Sequence, residues 1–174
     1  MITIDTKLNG VKLYQPDVFK DFRGEYIETF NTEKYTEIPP FVQDDIAISR
    51  LGVLRGFHGD LVTWKLTQVV HGVIYSVILD CRKESPTLGG WQIFILSGEN
   101  HHQLLLPPGI GNSTLALTDN VVYSYKQTTH YVNKQFTVKW DDPALGVPWP
   151  VQKPILSERD RLAKSLDEVM LTLR

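Results

Sequence analysis

The clearest pattern along the chain is a two-residue alternation in the segment Val73–Cys81, which reads VIYSVILDC. Successive side chains of a β-strand point to opposite faces. One face of this segment would therefore carry Val73, Tyr75, Val77, Leu79 and Cys81, and the other would carry Ile74, Ser76, Ile78 and Asp80. Because both faces are mainly apolar, the pattern predicts a strand that is buried on both sides.

Further β-branched and aromatic runs predict more strands of similar length. These runs are Lys65–Val70, Trp91–Leu96, Gln103–Leu106, Val121–Lys126 and Phe136–Trp140. Turn-forming residues separate several of them, for example Gly89-Gly90 and Pro107-Pro108-Gly109. Because almost no amphipathic helix lies between the strands, the sequence predicts an all-β antiparallel barrel or jelly roll.

Only the tail, from Ser157 to Leu171, has a helical pattern. Ser157 can cap a first turn that carries acidic residues, and apolar residues then recur at helical spacing at Leu162, Leu166 and Val169. We therefore expect short peripheral helices, including one at the C-terminus.

Composition and charge exclude several kinds of function. The 174 residues contain no linker or repeat and predict a single domain over residues 1–174. With 18 basic and 20 acidic residues, the net charge of -2 argues against a nucleic-acid partner. No stretch approaches the roughly 20 apolar residues of a membrane span, and no secretion signal is visible at the N-terminus. The single cysteine, Cys81, is expected to be a small buried residue in a reducing, cytoplasmic environment.

The segment Arg55–Asp60, which reads RGFHGD, is the first candidate for chemistry. In a regular strand, His58 and Asp60 would point into one cavity and Arg55 would point to the other side. The flanking glycines would let a ligand approach closely. A histidine with a purely structural role remains the alternative.

A transition-metal site is the obvious rival to this interpretation. Metal-binding barrels of this kind use a His-x-His pair, a Glu and a later His, but here Asp60 replaces the second His and Asn112 replaces the later one. His101 and His102 are adjacent and would point to opposite faces of a strand. Because three strong ligands are not assembled, we expect no bound metal.

Three further groups are candidates for a polar site. Tyr123 and Tyr125 share a strand face, and one of them could line a cavity, although packing in a core explains the spacing equally well. Lys65 opens an apolar run, so its ammonium lies either in the mouth of the barrel or in solvent. Arg23, next to Gly24 in a charged turn, would suit a phosphate, although a solvated loop is the usual interpretation.

Taken together, these residues resemble the dTDP-4-dehydrorhamnose 3,5-epimerase family, which belongs to the cupin-type barrels. The resemblance covers nearly the whole chain. It runs through FKDFRGEYIETFN, FVQDD, VLRGFHGD, KLTQVVHG, VILDCRKESPTLGGW, LLLPPGIG, YSYKQTTHY, KWDDPALGVPWP and LSERD. The order and number of these segments make the match specific.

The resemblance implies a role for each matching residue. His58 would be the catalytic base, Asp160 the carboxylate that orients it, Tyr125 the acid on the opposite side of the sugar, and Lys65 the cation near the keto oxygen. Residues implied in substrate binding are Arg23 and Arg55 at the diphosphate, Glu28 and Gln43 near the nucleotide, Tyr131 stacked on the base, and Asp60 and Asn112 near the sugar. The family also implies a homodimer in which N-terminal strands are exchanged.

This chemistry needs neither a metal nor another cofactor. Removing a proton next to a ketone leaves an enolate, whose oxygen a nearby ammonium stabilises. Histidine suits the base because its reference pKa of about 6.5 leaves it largely neutral near pH 7, whereas tyrosine, at about 10, keeps a proton to donate. The expected activity is epimerisation at C3, C5 or both of a nucleotide-linked 4-keto-6-deoxy sugar, in deoxysugar or surface-polysaccharide biosynthesis such as that of O-antigen and lipopolysaccharide.

Two departures from the family pattern leave alternatives open. Asn112-Ser113-Thr114 stands where the family has His-Gly-Phe, and Gly59-Asp60 stands where it has an aromatic residue and Gln. Both changes lie close to the expected sugar pocket. A non-catalytic nucleotide-sugar binder and a 3,4-ketoisomerase of the same substrates are the two alternative functions.

Overall fold

The computed structural model describes residues 1–36, 38–131 and 133–173, and in them most regular structure is β-strand. The strands are β1 (Ile2–Asp5), β2 (Lys12–Gln15), β3 (Val18–Asp21), β4 (Gly24–Ile27), β5 (Gln43–Ser49), β6 (Leu54–Gly59), β7 (Lys65–His71), β8 (Val73–Asp80), β9 (Trp91–Ser97), β10 (Gln103–Leu106), β11 (Ile110–Ala116), β12 (Val121–Gln127) and β13 (Phe136–Val138). A 3-10 helix spans Thr32–Lys34, and two helices, α1 (Glu158–Arg161) and α2 (Leu166–Thr172), lie near the C-terminus. The predicted all-β class is confirmed.

Two antiparallel sheets form the body of the fold. One has six strands in the order β1-β2-β10-β7-β12-β5, and the other has five in the order β13-β6-β11-β8-β9. Apolar side chains from both sheets make the central core, including Val69, Leu104, Ile78 and Leu96. β3 and β4 form a separate hairpin. The predicted antiparallel barrel or jelly-roll architecture is therefore confirmed.

The outer face of each sheet carries a further apolar cluster. Phe57, Val77, Leu79 and Cys81 pack against residues of α2 on the five-stranded sheet. On the six-stranded sheet, Tyr14, Leu66 and Leu105 pack against the segment around Tyr35. β8 contributes Ile74 and Ile78 to the central core and Val77 and Leu79 to the outer cluster. The prediction of a strand buried on both faces is therefore confirmed.

The C-terminal tail, whose pattern is helical from Ser157 to Leu171, forms two short helices, as the prediction of short peripheral helices requires. Ser157 caps α1 as expected, but α1 ends at Arg161, and α2 begins after Ser165. Ser165 accepts a hydrogen bond from the Glu168 amide while the Glu168 side chain accepts from the Ser165 amide, which is a capping box. A second capping residue thus starts a new helix. Among the described residues, no helix is long and apolar enough to cross a membrane.

A β-bulge in β6 corrects the prediction for the RGFHGD segment. Arg55 and His58 are three positions apart, but their partners on β11, Thr114 and Asn112, are only two apart. One extra residue is therefore accommodated in β6, and the alternation of faces shifts there. As a result Arg55 and His58 face the same side, whereas a regular strand would place them on opposite sides.

Gly59, which directly follows His58, is required by close packing. An added Cβ would collide with the Phe136 ring and lie 2.5 Å from the Ile110 carbonyl oxygen.

We predict that Gly59→Ala lowers the free energy of unfolding by about 1–3 kcal/mol, because β6 or β11 must move. Urea denaturation measures this change. Ile95→Ala, at a half-exposed position of the same sheet, is the control and should cost less; equal stability of Gly59→Ala and the unaltered chain would contradict the prediction.

Candidate active site

A cavity of about 290 Å³ opens between the two sheets. The six-stranded sheet contributes Lys65 from β7, Tyr123, Tyr125 and Gln127 from β12, and Asp45 and Ala47 from β5. The five-stranded sheet contributes Arg55 and His58 from β6 and Asn112 and Thr114 from β11, and Tyr131, Gln135 and Arg159 complete the lining. Polar groups from two facing walls thus converge on one space.

His58 lines one wall of this cavity and is tightly bonded to the buried Asp160. His58 Nε2 lies 2.6 Å from Asp160 Oδ1, although the two residues are 102 positions apart. Asp160 is buried, and it also accepts from the Gly56 amide at 3.1 Å and the Ser157 hydroxyl at 2.7 Å. A side chain on Gly56 would meet Asp160 Oδ1 at 2.8 Å, which explains the glycine.

This arrangement fixes both the charge of the carboxylate and the orientation of the imidazole. Burial alone would raise the pKa of Asp160, but the hydrogen bonds with His58, Ser157 and Gly56 together bring it below its usual value. An ionised carboxylate only accepts hydrogen bonds, so Nε2 must be the donor. His58 Nδ1 is then the nitrogen that is able to take up a proton.

Tyr125 borders the cavity from the opposite sheet. Burial raises the pKa of its hydroxyl, and the charge of Asp45 adds to this while Arg55 opposes it. The phenol therefore keeps its proton at neutral pH. Tyr125 has no hydrogen-bond partner within the described parts of the chain. Its neighbour Tyr123 is more deeply buried, which raises its pKa to about 12, and its hydroxyl accepts from Asn112 Nδ2 at 3.0 Å.

Lys65 also lines the cavity, and its ammonium forms an ion pair with Asp60. The Lys65 ammonium lies 3.7 Å from Asp60 Oδ2, and both side chains are largely buried. Asp60 Oδ1 accepts hydrogen bonds from the backbone amides of Val62 and Thr63. Asp60 is not part of the cavity lining, so the expectation that it points into the cavity with His58 is wrong. The reason is that β6 ends at Gly59 and Asp60 begins a turn.

Three of the residues predicted to bind substrate gather at the open side of the cavity. Arg55 and Tyr131 line it, and the Tyr131 side chain is 66% exposed. Gln43 lies just behind them, where its side chain accepts from the Tyr131 amide and donates to Asp45. Gln43 thus positions two cavity residues and is not itself part of the lining.

Two other predicted binding residues lie away from the cavity. Arg23, in the turn of the β3–β4 hairpin, is exposed and paired with Asp21 at 2.6 Å. Glu28 follows β4, pairs with Lys34 and lines a separate small hollow. In the single chain, therefore, neither residue joins His58, Lys65 and Tyr125.

Sequence reasoning missed several residues of the lining. Arg159, the residue before Asp160 in the sequence, lines the cavity. Its guanidinium donates hydrogen bonds to the side chains of Thr137 and Gln135. Asp45 accepts hydrogen bonds from Gln43 and Gln127. The alternation of side chains along a strand could have identified two of the missed residues. Gln127 shares a face of β12 with Tyr125, and Ala47 shares a face of β5 with Asp45.

The structure also shows where the possible metal ligands and the cysteine lie. No group of three or more His, Cys, Asp or Glu side chains in the described ranges is arranged to hold a metal ion. His101 pairs with Glu25, and His102 with Gln15. Cys81 is buried, and burial raises its pKa to about 12, so the thiol is a packing group as predicted.

Comparison with known proteins identifies a family that spans almost the whole chain. The family model of dTDP-4-dehydrorhamnose 3,5-epimerase matches residues 5–168. The dTDP-4-dehydrorhamnose 3,5-epimerase of Salmonella typhimurium is 37% identical to the chain and is aligned over 99% of each sequence. A dTDP-4-dehydro-6-deoxyglucose 3-epimerase from a Streptomyces species is 32% identical over 91% of the chain and 86% of its own length.

A solved structure extends this similarity to the fold. The dTDP-6-deoxy-D-glucose-3,5-epimerase of Legionella pneumophila, in complex with dTDP-4-keto-L-rhamnose, superposes with a TM-score of 0.93. It is 34% identical to the chain, and the match covers 99% of this chain and 96% of that one.

The pairing of Lys65 with Asp60 generates a prediction about the charge of the lysine. Burial lowers the pKa of Lys65, and attraction to Asp60 offsets part of this, while Arg159 acts in the same direction as burial. Because Asp60 favours the charged ammonium, we predict that Asp60→Asn lowers the Lys65 pKa further. The Asn side chain keeps an oxygen for the Val62 and Thr63 amides. The pH dependence of Lys65 reactivity towards an amine reagent measures the change.

Asp44→Asn is the matched control for this measurement. Asp44 pairs with Lys126 at the surface, so its loss should leave the Lys65 pKa unaltered. An unchanged or raised Lys65 pKa in Asp60→Asn would show that the carboxylate does not support the ammonium.

Proposed function

Since the chain belongs to the dTDP-4-dehydrorhamnose 3,5-epimerase family and is a carbohydrate epimerase, we propose that it acts by proton transfer across the ring of a 4-keto-6-deoxy sugar. The substrate is linked to a nucleotide, and the carbons inverted are C3, C5 or both. One observation carries this proposal: His58, which is hydrogen-bonded to Asp160, and Tyr125 border the same cavity from opposite sheets.

The first step is removal of a proton from the carbon next to the ketone. His58 Nδ1 takes the proton, and the C–H electron pair moves into the new double bond of an enolate. His58 then carries a positive charge, which the Asp160 carboxylate 2.6 Å away stabilises. The negative charge that develops on the keto oxygen is stabilised by the Lys65 ammonium.

The second step delivers a proton from the other side. Tyr125 donates its phenolic proton to the carbon on the face opposite to His58, and the configuration is thereby inverted. The phenolate and the imidazolium return to their starting states by exchange with solvent. No electron is transferred to or from the sugar, so the proposed reaction uses no redox cofactor.

The nucleotide is proposed to lie at the open side of the cavity. Arg55 suits a diphosphate because a guanidinium can donate two parallel hydrogen bonds to phosphate oxygens. Tyr131, with its exposed ring, suits stacking on a base, and Gln43 holds its backbone amide. The Legionella relative supports a dTDP-linked sugar for this chain as well.

Arg23 and Glu28 enter this proposal only through a second copy of the chain. β1 and β2 pair within the six-stranded sheet of their own chain, so the exchanged part would be the β3–β4 hairpin. The hairpin exposes Phe19, Phe22 and Tyr26, with Phe22 98% exposed. We therefore propose a homodimer in which Arg23 and Glu28 complete the nucleotide site of the partner. A cytoplasmic location and a role in O-antigen or lipopolysaccharide biosynthesis complete the proposal.

Solvent deuterium labelling tests the reaction directly. We predict that incubation with dTDP-4-keto-6-deoxyglucose in deuterated water labels C3, C5 or both, because each inverted carbon receives a solvent-derived hydron. His58→Ala should reduce this labelling by at least about 100-fold. NMR of the product identifies the labelled carbon and the position of the carbonyl.

Three results of this experiment would contradict the proposal. Labelling that persists in His58→Ala would show that another group is the base. A carbonyl that moves from C4 to C3 would indicate a ketoisomerase. Binding of the nucleotide sugar without any labelling would indicate a non-catalytic binding protein.

Substitution of Tyr125 separates proton exchange from inversion. In Tyr125→Phe, His58 can still remove a proton and return a deuteron to the same face, whereas the opposite face lacks its donor. We predict that formation of the inverted sugar falls by about 100-fold while deuterium exchange into the unconverted substrate continues. Tyr75→Phe is the control, because the Tyr75 phenol bonds to the Pro148 carbonyl and lies outside the cavity. Undiminished inversion in Tyr125→Phe would contradict the assignment.

A further inference from the structure

Asn112 lies on the same cavity wall as the proposed base. In the register of β11 and β6 it is paired with His58, and its side chain lines the cavity. Tyr125 belongs to the opposite sheet. The Asn112 amide therefore faces a bound sugar from the side on which His58 removes a proton.

The amide nitrogen of Asn112 has a hydrogen-bond partner within the protein. Asn112 Nδ2 donates to the Tyr123 hydroxyl at 3.0 Å. Tyr123 is only 6% exposed, and its ring packs on Tyr125 with the two ring centroids 5.8 Å apart. Because Tyr123 is held by its packing, this hydrogen bond holds the Asn112 side chain in place.

The amide oxygen of Asn112 has no hydrogen-bond partner among the described residues. Asn112 Oδ1 is buried and accepts no hydrogen bond from any residue that the structure describes. A buried polar atom without a partner is costly, and native proteins pair most such atoms with protein, water or a ligand. Since this oxygen belongs to a side chain that lines the cavity, the bound substrate is its natural partner.

The chemistry of a 4-keto-6-deoxy sugar limits what that partner is. Near C5 the ring offers an ether oxygen, a methyl group and the ketone, and none of these donates a hydrogen bond. Near C3, hydroxyl groups at C2 and C3 do donate. An acceptor beside the base therefore matches the C3 side of the ring.

We infer that Asn112 Oδ1 accepts a hydrogen bond from the C2 or C3 hydroxyl of the sugar, so that Asn112 selects substrates that carry this hydroxyl. This inference rests on the proposed function of the same cavity. It makes Asn112 a determinant of specificity, with Tyr123 as the residue that holds it in place.

The test compares three substrates in three forms of the full-length protein. The substrates are dTDP-4-keto-6-deoxyglucose and its 2-deoxy and 3-deoxy analogues, and the measured quantity is kcat/KM for deuterium incorporation. The variants are Asn112→Leu, which keeps the approximate shape without polar atoms, and Asn112→Asp, which keeps the acceptor. Comparing substrates within each variant cancels any general loss of active protein.

The unaltered protein should discriminate against one of the two deoxy analogues by about 10- to 100-fold, as expected for loss of one buried hydrogen bond. Asn112→Leu should reduce this ratio to about one, whereas Asn112→Asp should keep most of it. Equal rates on all three sugars in the unaltered protein, as expected if water fills the acceptor, would overturn the inference. Discrimination that persists in Asn112→Leu would also overturn it.

A failure of the proposed function gives a different result. In that case the unaltered protein labels none of the three sugars. The dissociation constants of the same sugars, measured by calorimetry, then test the inference separately. The same 10- to 100-fold preference, lost in Asn112→Leu, would support it, and equal dissociation constants would refute it.

Discussion

The hydrogen bond between His58 and Asp160 is the interaction on which the site depends. It joins a strand in the first half of the chain to a helix near its end. Backbone bonds hold the chain on both sides of that helix: Ile155 pairs with Gly52 and Leu54, and the Lys164 carbonyl accepts from the Lys139 amide. Asp160 is therefore fixed by the fold, and the imidazole takes its orientation from Asp160.

The second constraint is that the reacting groups belong to different sheets. A single strand would place alternate side chains on opposite faces of one sheet, whereas inversion needs groups on opposite sides of one ring. Two facing sheets provide this, since His58 belongs to β6 and Tyr125 to β12. The bulge in β6 then brings Arg55 to the same side as His58.

Local patterns predicted the architecture well, because strands that are buried on both faces leave a strong signal. β10 was predicted to the residue, and β7, β8, β9 and β12 to within one residue at either end. The pattern could not predict the break between α1 and α2, since it depends on Ser165 acting as a second cap. It also could not predict the bulge in β6, because that depends on pairing with β11.

For the site, the family resemblance named residues that the fold does bring together, including His58, Lys65, Tyr125 and Arg55. Asp60 was misplaced because a strand pattern does not reveal where the strand ends, and the turn directs its carboxylate to Lys65. Arg23 and Glu28 lie outside the cavity of a single chain, and contacts between two copies are not encoded in a local pattern. Asn112 differs from the family residue, and only its hydrogen bonds reveal one oxygen without a partner.

The state of the His58 ring provides the most direct test of the central claim. If the Asp160 carboxylate fixes the imidazole, ¹⁵N NMR of the neutral histidine should show Nε2 carrying the proton and Nδ1 without one. In Asp160→Asn this preference for one tautomer should weaken, because the amide can also donate to the ring. A neutral ring with the proton on Nδ1, or a tautomer unaffected by Asp160→Asn, would contradict the account.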